Sequence, residues 1–151
     1  MSRLNAFAAA PDEVQRLIDF ATAAGAGLEP SLKHLVKIRA SQINGCARCL
    51  YMHFQEALKE GQTHERLYLL DAWAEAPIYT DRERAALIWT EALTRVCETH
   101  APDAAYDAVI AQFSEAEVVK LTMVINAINA FNRLAVGFRA EPMGLVHAKA
   151  A

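Results

Sequence analysis

Apolar residues recur at three- and four-residue intervals along almost the whole chain, and no run alternates apolar and polar positions with the β-branched residues that strands favour. The pattern predicts an all-α protein. A first helix is expected to open at Pro11, whose fixed φ and missing N–H suit the first helical position; Val14, Leu17, Ile18 and Ala21 share its face until "GAGLEP" breaks it. Ser31 is placed to cap a second, with Leu32, Leu35, Val36, Ala40 and Ile43 on one side and an end at the turn-prone Asn44-Gly45. A third runs from about Cys46 to Lys59, with Gly61 set for the left-handed position beyond it. A fourth covers about 63–75, carries Leu67, Leu70 and Trp73, and is closed by Pro77. Thr80 with Glu83 and Ser114 with Glu117 form capping boxes. The first box opens "DRERAALIWTEALTRV", the second opens the last long helix, and a shorter helix at about 103–113 lies between, giving six to seven helices in all.

The last helix, "EVVKLTMVINAINAFNRLAVGF", is apolar but interrupted by Lys120, Asn126, Asn129, Asn132 and Arg133. A membrane span needs about 20 mostly uncharged apolar residues, so this segment is expected to be a central buried helix that also meets a neighbouring subunit. Its asparagines, three apart, are expected to be paired to backbone or to another helix. With 151 residues and 54% hydrophobic content the chain makes one domain, residues 1–151, with its core at about 12–140 and a loosely held tail at about 141–151. A net charge of −3, with Lys and Arg scattered, gives no electrostatic footprint for nucleic acid or an anionic membrane. The start, "MSRLNAFAAAPDEV", lacks a secretory hydrophobic region, which points to a cytoplasmic protein.

Candidate chemistry concentrates in "SQINGCARCLYMHFQEALKEG", residues 41–61. Three cysteines make no disulfide framework, and in a reducing compartment a close pair is more often catalytic or metal-binding; Cys97 is expected to be a buried thiol. Cysteines at i and i+3 of a helix share a side with Cα atoms about 5 Å apart, within reach of a disulfide. At a helix start, unpaired N–H groups favour a thiolate on Cys46 or Cys49. His53, one turn beyond Cys49, can take the thiol proton or hold the thiolate as a cation, and Arg48 can add positive potential. The set has the parts of a reactive dithiol. A zinc site would need a fourth ligand, such as His34 or Cys97, and the pair could also be inert core cysteines. A thioredoxin-like site would need a βαβ pattern, and haem attachment a histidine at 50, where the chain has Leu50. His64, His100 and His147 have nothing arranged around them.

The stretch "LVKIRASQINGCARCLYMHFQEAL" resembles the signature of the alkylhydroperoxidase D-like proteins of the carboxymuconolactone decarboxylase family, with looser similarity through "TDRERAALIWTEALT" and "INAINAFNRLAVGF". The resemblance implies an all-helical fold, a homo-trimer or homo-hexamer, and no bound cofactor. It implies Cys49 as the sulfur that attacks an alkyl or hydrogen peroxide, Cys46 as the resolving thiol, and His53 in a proton relay. An external dithiol, such as a lipoyl-type donor, would restore the pair. The family often has a glutamate twelve residues before the first cysteine; here that place is His34, a candidate replacement in the relay. The histidine that alkylhydroperoxidase D has before its second cysteine is here Arg48, so that role does not transfer. Leu50, Tyr51, Phe54 and Trp89 are candidates both for contact with an alkyl hydroperoxide and for plain core. Three other readings remain: a thiol–disulfide oxidoreductase or redox sensor, an enzyme of the decarboxylase branch, and a non-enzymatic oligomeric binding protein.

Overall fold

The computed structural model describes residues 2–142 and residue 144, and among them every regular element is helical. The expected loose tail and His147 fall largely or wholly outside the described residues. Nine α-helices follow in order: α1 (Ala6–Ala9), α2 (Pro11–Ala23), α3 (Pro30–Ile43), α4 (Ala47–Lys59), α5 (His64–Tyr68), α6 (Asp81–Thr94), α7 (Val96–Thr99), α8 (Asp103–Ile110) and α9 (Glu115–Gly137). Both capping boxes are formed, by Thr80 with Glu83 and by Ser114 with Glu117. The N-cap of α3 is Glu29 rather than Ser31, because Pro30 already supplies a first helical residue with no N–H to satisfy. The fourth predicted helix is only α5 followed by a 3-10 turn at Leu69–Ala72. Beyond it, Pro77 has no N–H to offer the Trp73 carbonyl, and the Arg84 guanidinium instead gathers the carbonyls of Trp73, Ala74 and Ala76, which a helix end leaves unpaired.

Helix α3 is the centre of the molecule, packed on α4, α6 and α9. Leu32 and Val36 join the core shared with Leu121, Ile125 and Val109, while Leu35 and Ile38 face a second core with Leu67, Leu70 and Leu87. A helix buried on opposite sides shows no single apolar stripe. Its third side carries Ala40, which packs with Cys46, Cys49 and Ile128. The end of α3, the start of α4 and the middle of α9 therefore meet at the cysteine pair.

Asn129 and Asn132 of α9 are buried, but Asn126 is exposed. Successive steps of three residues drift around a helix of 3.6 residues per turn, so the asparagine row leaves the interface at its N-terminal member. Cys97, expected to be buried, is exposed on α7, a single helical turn that buries none of its residues. No described helix is long and apolar enough to cross a membrane.

Candidate functional site

The sequence Asn44-Gly45-Cys46 turns the chain from α3 into α4. Gly45 has φ +65°, a left-handed conformation that a side chain would strain, and Cys46 N–H donates back to the Ser41 carbonyl at 3.0 Å. Cys46 is the N-cap of α4, and its Sγ accepts the Cys49 N–H at 3.3 Å. The two Cα atoms lie 5.4 Å apart and the sulfurs form a disulfide. Both cysteines are buried at the start of α4.

Buried amides hold that turn. Asn44 Nδ2 donates to Asn129 Oδ1 and to Asn132 Oδ1, each at 2.9 Å. Asn132 Nδ2 donates to Ser41 Oγ at 3.0 Å, and Asn129 Nδ2 to the Ile125 carbonyl at 2.9 Å and to Thr94 Oγ1 at 3.2 Å. The expected pairing of the asparagine row is thus realised by Asn129 and Asn132. Their bonds tie α9 to the loop that presents Cys46, and desolvated amides of this kind are costly to leave unpaired.

His53 is buried on α4, and its Nδ1 lies 2.8 Å from Glu56 Oε2. The hydrogen bond from His53 holds the Glu56 carboxyl below its ordinary value of 4.5, against desolvation, with Coulombic help from His53, Lys37 and His34. An ionised carboxylate only accepts, so Nδ1 carries the proton and Nε2 is left as the basic nitrogen. Glu56 was absent from the candidates drawn from sequence, although its i+3 spacing from His53 puts the two on one helix face. His34 is also buried, with Nε2 2.9 Å from Glu60 Oε2, while its Nδ1 finds no partner among the described residues. The helix pairing of α3 with α4 therefore gathers His34, His53, Glu56 and Glu60 into one polar seam.

Cys49 and His53 open on a cavity of about 790 Å³. Its walls are mostly apolar: Phe7 of α1, Ile18 of α2, Met52 of α4, and Ile128, Phe131 and Leu134 of α9. Cys46 does not line it. Leu50 and Phe54 pack instead against the Leu35 core and Trp89 lies in the Leu32 core, so these candidates serve as core. Tyr51, the fourth, is not among the cavity's walls. The wall at Leu4 and Phe7 was not anticipated, since four helical residues carry too little periodicity to be recognised. Arg48 lines the cavity and donates to the Glu141 carbonyl at 2.8 Å. Among the described residues, no group of three or more His, Cys, Asp or Glu side chains is arranged to hold a metal ion.

Comparison with known proteins gives a consistent set of likenesses. The model of the carboxymuconolactone decarboxylase family matches residues 11–92. The uncharacterized protein YdfG of Bacillus subtilis (strain 168) is 35% identical over 135 residues, spanning 89% of this chain and 92% of that protein. A solved structure of a protein of unknown function from Agrobacterium tumefaciens, suggested to be the antioxidant defence protein AhpD, superposes with a TM-score of 0.91 at 41% identity, over 97% of this chain and 100% of that one. The debrominase Bmp8 in its apo form shares the fold at a TM-score of 0.80 and 17% identity, over 91% of this chain and 75% of that one.

Proposed function

The chain belongs to the carboxymuconolactone decarboxylase family, and we propose that within it the protein is an antioxidant dithiol peroxidase of the alkylhydroperoxidase D type. The observation that carries this reading is the cysteine pair at the start of α4, with Cys49 alone of the two facing an apolar cavity that it shares with His53.

In the reduced protein, His53 Nε2 takes the Cys49 thiol proton, and Glu56 holds the imidazole at its other nitrogen. The Cys49 thiolate attacks the terminal oxygen of a hydroperoxide. The S–O bond forms as the O–O bond breaks, and the alkoxide leaves as alcohol once it receives the proton from His53. Cys49 is then a sulfenic acid. The Cys46 sulfur attacks Cys49 Sγ, the disulfide forms, and the hydroxyl leaves with the Cys46 proton as water. Peroxide has gained two electrons and the pair has lost them. An external dithiol returns them by exchange through a mixed disulfide, leaving reduced Cys46 and Cys49. His34, close to Glu56 and bonded to Glu60, extends the proton path. No resident cofactor or metal takes part in this scheme. A homo-trimer or homo-hexamer is the assembly proposed, supported by exposed Val119, Met123 and Val136 on α9.

The test is stopped-flow loss of thiols from the reduced protein mixed with one equivalent of cumene hydroperoxide, beside Cys49→Ser. Rapid loss of two thiols in the parent and none at that rate in the variant is the expected result. Loss no faster than that of free cysteine overturns the peroxidase reading and leaves thiol–disulfide exchange as the function of the pair.

A further inference from the structure

The cavity beside Cys49 is far larger than a small peroxide needs; about 790 Å³ falls among the volumes of sites that enclose whole organic ligands. Its walls come from five helices and carry phenylalanine, isoleucine, leucine and methionine side chains, so it accepts a long or bulky apolar body. Within these walls stands Lys37 of α3. The residue is half-buried, and among the described residues its ammonium makes no hydrogen bond and no ion pair. Burial lowers its pKa, Glu56 and Glu60 act at a distance to keep it charged, and Lys33 opposes them. A cation withdrawn from water without a direct partner is costly, and an anionic ligand group would remove that cost. Arg48, the cavity's other cation, donates only to the neutral carbonyl of Glu141, whose side chain is the cavity's acidic one.

We propose that the cavity takes amphipathic carboxylates, with the carboxylate on Lys37, the apolar chain among Phe7, Ile18, Phe131 and Leu134, and a hydroperoxide group on that chain delivered to Cys49. The substrate class is therefore a fatty-acid hydroperoxide in its free-acid form. The register is set by α3. Lys37 stands six residues before the end of that helix at Ile43, about 9 Å along it from the turn that leads to the cysteines. A head group at Lys37 and a peroxide at Cys49 are thus separated by several carbons of chain, and no small peroxide can touch both. The proposal deepens the peroxidase reading and, as to the reaction, rests on it; the binding of the carboxylate does not.

Two measurements separate those parts. The first compares kcat/KM for the 9-hydroperoxide of linoleic acid and for its methyl ester, with cumene hydroperoxide as the reference. A charge-assisted contact predicts a preference for the acid of about tenfold or more in the parent, carried mainly by KM. Lys37→Met should bring the ratio near one, and Lys37→Arg should keep it. Equal turnover of acid and ester in the parent, or a preference that survives in Lys37→Met, overturns the proposal. The second measures binding of decanoate and of methyl decanoate to the oxidised protein by calorimetry, which needs no turnover. Tighter binding of decanoate that is lost in Lys37→Met supports the carboxylate site even if cumene hydroperoxide is not reduced, in which case the peroxidase reading alone has failed. Absence of any preference for decanoate in the parent overturns the site itself.

Discussion

At the scale of single residues, the site works through the different environments given to similar groups. Cys46 caps α4 while Cys49 faces the cavity, and His53 is bonded to Glu56 while His34 is bonded to Glu60. His53→Ala should remove general-base help and slow the reaction of the reduced protein with peroxide by about a hundredfold at neutral pH. Glu56→Gln should give a smaller loss, because the amide can still accept from Nδ1 but carries no charge to stabilise the imidazolium. Rates measured across pH for both variants check the order; equal rates in all three proteins would remove the pair from the mechanism. The same contact has a stability signature. The Glu56 pKa is depressed below 4.5 in the folded protein by the His53 bond, so the contribution is present above that value and lost as pH falls through the folded pKa. In His53→Ala that acid-dependent part should shrink, which a carboxyl titration of Glu56 by NMR reads directly.

At the scale of elements, the cysteine turn depends on α9 as much as on α3 and α4. Asn132→Ala removes the acceptor of one Asn44 bond and the donor to Ser41, and should cost about 1–3 kcal/mol in urea unfolding of the reduced protein. A loss within a few tenths of a kcal/mol would mean that water replaces the amide and that the network does not fix the turn. The long helices were legible because their apolar spacing, Pro11, the two capping boxes and the Cys46 to Lys59 run each carry a local cause. The exceptions differ in origin, one a contact between elements and the other a local effect of proline. Arg84 of α6 holds the carbonyls that the fourth segment leaves unpaired before Pro77, and Pro30 moves the start of α3 ahead of Ser31. The candidate site divides in the same way. Cys46, Cys49 and His53 are legible from spacing along one helix, and Glu56 was within reach of the same argument. The cavity was not, because Phe7, Ile18, Lys37 and Phe131 come together only when α1, α2, α3 and α9 pack. Leu50, Phe54 and Trp89 look equally suitable in sequence, yet helix packing turns them into the core.

At the scale of the whole molecule, two of the helices that build the site, α3 and α9, are also joined through α6 at their N-terminal ends, remote from the Asn44 turn. Arg82 of α6 donates to Glu29 Oε1 at 2.8 Å, to Glu117 Oε1 at 2.7 Å and to the Gln112 carbonyl at 2.6 Å, with its guanidinium 3.8 Å from the centre of the Phe113 ring. One side chain thereby links the caps of α3, α6 and α9. Glu117 is pulled down to about 2, first by the Ser114 backbone N–H and then by Arg82, and Glu29 is lowered chiefly by its bond from Arg82. Both folded values lie below the ordinary 4.5, so these carboxylates stabilise the fold above that pH. The stabilisation disappears as pH falls, for Glu117 toward about 2. Arg82→Gln should therefore lower the urea midpoint at neutral pH and converge with the parent as the solution is acidified. The variant keeps the part of the Glu117 shift that Ser114 supplies, so its own acid loss is shallower rather than absent. A difference of constant size at all pH values would assign the effect of Arg82 to its packing on Phe113 instead of to its ion pairs. Thiol reactivity in the same variant should follow the parent wherever the fold is intact, because Arg82 makes none of the contacts that set Cys49, His53 or Glu56.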